Sequence, residues 1–291
     1  MSFDGFELSM IDIGDVVLRV RNGGSGPPLL LLHGCPQTHM MWGKIAGDLA
    51  NDFTVIAPDL RGYGLSSKPQ AAKDGAAYSK RTMANDAIAL MKHFGHERFM
   101  VAGHDRGGRV AYRLALDHPN AVSKVSILDI MPTGEIWARA DHRFALGYWH
   151  WSFLAQPAPN PEHFIIAGGA ESFFFDFMFR GAKKIFDADA MEDYRCALAN
   201  SETIRSICDD YRAGAGFDRK LDLEQRGRAK ISCPTQVLWG ANGAVGAWYD
   251  VLGIWKNWTD DLVGEGLPCG HFLPEERPAE TLAALRRFFL K

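Results

Sequence analysis

Residues 98–109, RFMVAGHDRGGR, set an apolar strand, a glycine-flanked turn and the start of a helix in direct succession. In a turn of this kind the central residue, here Asp105, is held above the sheet in a strained conformation. Glycines two positions to either side, Gly103 and Gly107, let strand and helix approach closely. A serine in this place attacks carbonyl carbon. A carboxylate is already ionised at neutral pH and can attack an sp³ carbon directly, giving an alkyl ester. The bare spacing G-x-D-x-G is weak evidence and is common in tight turns. Its weight here comes from the strand before it, the helix after it, and the matching parts that follow in chain order.

Upstream, residues 16–20, 29–32 and 54–57 read as short apolar strands closed by Gly, Pro or Asp, and 79–94 has helical periodicity. Downstream, a helix follows Gly107 and residues 125–130 read as a further buried strand. Repeated strand-helix-strand units predict an α/β core with a mostly parallel central sheet flanked by helices. From about 133 to 227 the pattern turns aromatic-rich and helical, broken by prolines at 156–161, with no convincing strand. This predicts an inserted helical cap. Strand character returns at 235–239, and a helix runs from about 278 to 290. The expected division is a core of residues 1–133 and 226–291 and a cap of 134–225.

An alkyl ester on Asp105 needs a base to activate water. His271, in Pro268-Cys269-Gly270-His271-Phe272, follows the last predicted strand and is the best placed of the ten histidines. His33, in His33-Gly34-Cys35-Pro36, is expected to shape the turn that supplies a backbone N–H. His39, His93, His96, His118, His142 and His163 read as surface or capping residues. The base requires a carboxylate partner. The strand ending at Trp239 is followed by no acid until Asp250, so Asp129, closing the 127–129 run, is preferred over that later position. A helix or turn cap is the plainer reading of Asp129.

The remaining composition narrows the function by exclusion. The chain has 291 residues, 47% hydrophobic and 23% charged, with a net charge of −3 and a pI near 6.4. It lacks the clustered basic excess that nucleic acid or an anionic membrane requires. The first fifteen residues carry Asp4, Glu7, Asp12 and Asp15, unlike a signal peptide. No apolar run approaches the roughly 20 residues that span a bilayer. Five cysteines without CxxC spacing suggest neither a disulfide framework nor a zinc site, which suits a reducing cytoplasm.

Taken together, these residues resemble the fluoroacetate and haloacetate dehalogenases of the α/β-hydrolase superfamily over nearly the whole chain. The shared motifs are HGxP at 33–36, DLRGYGLSSKP at 59–69 and GHDRGGR at 103–109. More specific are LDIMPT at 128–133, YWHW at 148–151, QPAP at 156–159 and DDYRAG around Tyr211. The resemblance implies Asp105 as nucleophile, His271 as base and Asp129 as its partner. It gives Arg106 and Arg109 to the substrate carboxylate, and their i, i+3 spacing at a helix start agrees with that. His150, Trp151 and Tyr211 would hold the departing halide, while backbone N–H groups of Cys35 and Arg106 would stabilise an oxyanion. A small haloacid substrate, no metal or cofactor, and a homodimer are also implied. An epoxide hydrolase would share the Asp nucleophile and draw on cap tyrosines among Tyr148, Tyr194, Tyr211 and Tyr249, but would leave the paired arginines idle. A non-catalytic protein using the same fold as a ligand pocket is the third reading.

One position departs from the family pattern, where HGFP is expected and Cys35 stands instead. The backbone donor is kept, and the smaller side chain predicts tolerance of bulkier 2-haloacids. Cys35→Phe is therefore expected to slow halide release from 2-halopropionates. Equal rates in the two proteins would remove the idea.

Overall fold

The structure, a computed structural model, describes residues 3–71 and 75–291. The first two residues of the acidic N-terminal stretch lie outside the described residues. Eight strands form one sheet in the order β1-β2-β4-β3-β5-β6-β7-β8. They are β1 (Glu7–Asp12), β2 (Val17–Gly23), β3 (Pro28–Leu32), β4 (Thr54–Pro58), β5 (Phe99–His104), β6 (Val122–Leu128), β7 (Thr235–Gly240) and β8 (Leu262–Leu267). β2 pairs antiparallel with β1 and β4, and every other pairing is parallel.

Side chains alternate across a strand, so the runs of consecutive apolar residues supply both faces of the sheet. Leu30, Leu32, Val101, Ile127 and Val237 enter one core. Leu29, Leu31, Met100, Leu128 and Leu238 enter the other. The second core is closed by α1 (Gly43–Leu49) through Ile45 and Leu49, and by the C-terminal helix through Leu285 and Phe289. The first is closed by α2 (Lys80–His93) and α3 (Arg106–Asp117). Between β6 and β7 the described chain is helical: α4 (Thr133–Ala138), α5 (His142–Gly147), α6 (Trp149–Leu154), α7 (Asn160–Gly168), α8 (Ala188–Leu198), α9 (Ser201–Ala213) and α10 (Arg219–Gln225), with π-helical turns at Ser172–Met178 and Gly214–Asp218. Trp151, Phe174, Tyr194 and Ile204 of this stretch join the first core. After β7 come α11 (Ala244–Trp248), α12 (Val251–Trp255), α13 (Leu273–Glu276) and α14 (Pro278–Phe289).

The α/β architecture matches the sequence reading, with two strands added. β1 and β8 are the edges of the sheet and are largely exposed, so ELSMID and LVGEGL carry little of the apolar run that marks a buried strand. β6 stops at Leu128, two residues short of expectation, because Asp129 turns out of the strand with φ 52°. Among the described residues, no helix is long and apolar enough to cross a membrane, and no group of His, Cys, Asp and Glu could hold a metal ion.

The β5–α3 junction tolerates no side chain at its glycines. A Cβ on Gly103 would lie 2.3 Å from the Gly107 carbonyl oxygen, and one on Gly107 would lie 2.4 Å from that of Leu32. Both obstacles are backbone and cannot swing aside. Gly107→Ala is therefore expected to destabilise the fold by about 3 kcal/mol, read as a drop in melting temperature; an unchanged Tm would contradict this account of the junction.

Candidate active site

Asp105 occupies the turn between β5 and α3 at φ 48°, ψ −114°, a region that L residues rarely adopt. Its backbone N–H donates to the Leu128 carbonyl at 3.2 Å, and its own carbonyl accepts from Arg109 N–H at 3.1 Å. The Cys35 N–H donates to Oδ1 at 2.9 Å, which ties the carboxylate to the loop after β3. That approach is possible because residue 34 is glycine: a Cβ there would fall 2.6 Å from the Asp105 Cβ. Burial disfavours the charged carboxylate but is outweighed by His271, Arg106 and Arg109, and the pKa is held down to about 2. Asp105 is thus ionised at neutral pH, with Oδ2 lacking the backbone donor that holds Oδ1.

His271 stands on the loop between β8 and α13. Its Nδ1–H donates to Asp129 Oδ2 at 2.6 Å, and its Nε2 faces Asp105 Oδ2 at 3.9 Å. Asp129 is fixed in turn by Gly240 N–H on Oδ1 at 2.8 Å. The hydrogen bonds assign the tautomer: with the proton on Nδ1, Nε2 carries the lone pair. The 3.9 Å gap is beyond hydrogen-bond reach and is one that a water can bridge. Burial would lower the His271 pKa, yet the hydrogen bond and charge of Asp129, with Asp105 behind them, raise it above the ordinary imidazole value.

A cavity of about 120 Å³ lies against these groups. For scale, a cavity of about 150 Å³ accommodates benzene. Asp105, Asp129 and His271 contribute to its wall, as do Arg109, His150, Trp151 and Tyr211. Arg109 Nη1 donates to the Met131 carbonyl and to Thr133 Oγ1, each at 3.0 Å, and the guanidinium lies 4.6 Å over the Trp151 ring. Its buried Nε has no hydrogen-bond partner. His150 is driven by burial to a pKa of about 3, so it is neutral, and its Nδ1 is also unpartnered.

Arg106 is placed differently from its neighbour. It is not among the residues lining the cavity, and its guanidinium is engaged by Asp210 of α9: Nε to Oδ2 at 2.8 Å, Nη2 to Oδ1 at 2.7 Å and Nη2 to the carbonyl at 2.9 Å. It also lies 4.4 Å over the Tyr211 ring. Cys35 likewise is not among the residues lining the cavity, and its side chain is fully buried.

Sequence reasoning missed several contributors. His104 hydrogen-bonds through Nε2 to the His271 carbonyl at 2.7 Å, its ring 4.6 Å from that of His271, and burial keeps it neutral with a pKa of about 3. Its position inside the GHDRG turn was the available signal. Phe179 lines the cavity, parallel to the His271 imidazole at 5.7 Å, and so does Tyr148, which the sequence offered only for the epoxide alternative. His33 does shape its turn, accepting from Leu60 N–H on Nε2 at 2.8 Å and donating from Nδ1 to Gly34. His39, expected at the surface, is instead buried with Nδ1 on Asp59 at 2.7 Å.

Residues 27–278 match the family model of the alpha/beta hydrolase fold. The chain belongs to the α/β-hydrolase family. This α/β-hydrolase is 43% identical over 98% of its length, and 94% of the relative's, to a fluoroacetate dehalogenase from Burkholderia sp. It is 32% identical to a soluble epoxide hydrolase from Corynebacterium sp. (strain C12), with 91% of each chain covered. A crystal structure of an assigned α/β hydrolase from Nostoc sp PCC 7120 superposes with a TM-score of 0.94 at 45% identity, covering 98% of both chains.

The Asp129 contact makes a prediction about charge alone. NMR titration of the His271 ring is expected to give a pKa above the usual imidazole range, and Asp129→Asn should bring it down as the charged partner is lost. An identical midpoint in both proteins would show that Asp129 does not set the state of the ring.

Proposed function

We propose that this α/β-hydrolase removes halide from small 2-haloacids, with Asp105 as nucleophile and an alkyl ester as intermediate. One observation carries the reading: the Asp105 carboxylate shares one small cavity with the cationic Arg109 and with three uncharged donors, His150, Trp151 and Tyr211. A cation suits a carboxylate, and neutral N–H and O–H donors suit a halide that gains charge only as its bond to carbon breaks. The hydrolase relative that shares 43% of its residues bears the name of that activity.

In the proposed reaction Arg109 holds the substrate carboxylate, while Arg106, bound to Asp210 and outside the cavity lining, contributes charge rather than contact. Asp105 Oδ2 attacks the α-carbon in line with the halide, which leaves toward His150, Trp151 and Tyr211. Oδ1 then becomes the ester carbonyl oxygen. It already accepts from Cys35 N–H, so one oxyanion donor is in place before water attacks, and the Arg106 N–H is assigned as the second. Water between His271 and the ester is activated by Nε2, whose proton gain Asp129 stabilises. The products are halide and a 2-hydroxy acid, glycolate from fluoroacetate, and every step runs on these side chains. The helical stretch of 134–225 serves as the cap over the core of 1–133 and 226–291. The exposed Phe164, Ile166 and Phe177 on that stretch fit a homodimer, and the free cysteines without CxxC spacing fit the cytoplasmic setting that we assign.

A second reading rests on Tyr148 and Tyr211, which both line the cavity and could donate to an epoxide oxygen. A neutral epoxide leaves the cation of Arg109 without a counterpart.

Ion-selective assay across fluoroacetate, chloroacetate, 2-halopropionates and styrene oxide separates these readings. Halide release from the haloacetates is expected, abolished in Asp105→Ala, with Arg109→Met raising KM about a hundredfold as a charge-assisted pair is lost. A single turnover in ¹⁸O water should leave the label in the Asp105 carboxylate. Label found only in the hydroxy acid would rule out the ester, and turnover of styrene oxide alone would install the epoxide reading.

A further inference from the structure

Lysine is almost never fully buried unless it is paired. Lys80 of α2 is 1% exposed and does not line the cavity. Its ammonium is bonded to Asp210, the carboxylate that also accepts two bonds from Arg106 and one from the Tyr63 hydroxyl at 2.6 Å. Asp210 therefore serves two buried cations at once. A fourth charged group completes the cluster: Asp218, in the π-helical turn after α9, accepts from the Lys80 N–H at 2.9 Å and places Oδ2 3.9 Å from its ammonium. Burial pushes the Asp218 pKa up to about 6 against the pull of Lys80, so at pH 7.5 it is mostly ionised. Arg81, the neighbouring cation of α2, is held by Asp117.

An arginine and an aspartate bonded through two N–H groups neutralise each other without help, and a second buried cation costs desolvation that the pair alone does not require. Take Lys80 away, and the cluster keeps one cation, Arg106, against two carboxylates, Asp210 and Asp218. The guanidinium would then present no net positive charge to an anion next to Asp105. With Lys80 present, part of the charge of Asp210 is drawn off.

We propose that Lys80 is a positioning residue for the anionic substrate: through the shared Asp210 it keeps the Arg106 end of the site from turning net negative, so that a small carboxylate is not repelled. The proposal rests on the haloacid reading above. It acts across Asp210 and not by contact, and its size follows from Coulomb's law: at an effective dielectric of about 20, one unit charge about 10 Å away alters the affinity for an ion by roughly tenfold.

The decisive background is Asp218→Asn, which removes the neighbouring carboxyl that could take up a proton and mask the loss of Lys80. Calorimetric titration with glycolate at pH 7.5 is expected to show Asp218→Asn binding severalfold more tightly than wild type. Lys80→Met/Asp218→Asn should bind about tenfold more weakly than Asp218→Asn. A merely structural role for the cluster predicts that both changes weaken binding or leave it alone, so failure of either expectation overturns the proposal. Should the double variant not fold, Asp218→Asn alone decides: tighter binding upholds the charge role, and unchanged or weaker binding ends it. Chloroacetate turnover by the wild type is measured alongside. If no chloride is released while glycolate binding still depends on Lys80, the dehalogenase reading falls and the charge role stands; a wild type that binds no glycolate overturns the charge role itself.

Discussion

The hydrogen bond from Cys35 N–H to Asp105 Oδ1 joins two loops that the sheet would otherwise hold apart only approximately, and the rest of the site is organised around it. It selects one of two chemically equivalent oxygens. The bonded oxygen is restrained and the other is left free of that bond, so in the proposed reaction the attacking atom is fixed before any substrate arrives. The cost appears in the backbone: a non-glycine residue at φ 48° stores strain on the order of 1–3 kcal/mol. That strain is sustained because β5 is buried along its whole length between β3 and β6, and because Gly107 donates to the His33 carbonyl at 2.8 Å. The same alignment that makes the turn rigid makes its glycines irreplaceable.

Charge is the second constraint, and it explains why the helical stretch between β6 and β7 does more than cover the sheet. Arg106 and Lys80 arise from α3 and α2, while the carboxylates that balance them, Asp210 and Asp218, arise from α9 and the turn after it. Removing one member of a buried ion pair typically costs about 3–5 kcal/mol because a charge is left uncompensated. The two layers therefore cannot separate without exposing or stranding these groups. Arg109 reaches the same stretch by another route, through the Met131 carbonyl and Thr133 Oγ1 at the point where the chain leaves the core. Both arginines near Asp105 are thus oriented by residues that follow β6.

What could be read from the sequence follows from the range of the interactions involved. Asp105 and Asp129 were legible because each directly follows a buried strand, whose end is marked locally by an apolar run meeting Gly or Asp, whereas His271, beyond the exposed edge strand β8, was picked out only by its place near the C-terminus after the last predicted strand. The alternation of strand and helix gave the α/β layers for the same reason. β1 and β8 escaped because an edge strand buries too little to write an apolar pattern. The restraint on Arg106 escaped because its partner is 104 residues away: spacing could place Arg106 and Arg109 on one helical face, but not tell which of them would be engaged by a carboxylate across the interface. His39 was misplaced for a related reason, its burial being set by Asp59 on the loop after β4, a contact with no local mark.

The polarity of the cavity gives the last step. Its donors fall into two kinds, a cation in Arg109 and neutral groups in His150, Trp151 and Tyr211, and burial keeps His150 in the second kind by driving its pKa to about 3. Under the proposed haloacid reading, a second cation at His150 would compete with Arg109 for the substrate carboxylate and would erase the difference between the two kinds of donor. A neutral ring offers only a hydrogen bond, which is worth most when the acceptor bears full charge, as a departing halide does and a carbon-bound halogen does not. In the proposed haloacid reaction, desolvation of this one histidine would leave Arg109 as the cation lining the cavity that attracts a carboxylate, and would keep the His150 ring as a neutral donor for charge that develops only as a bond breaks.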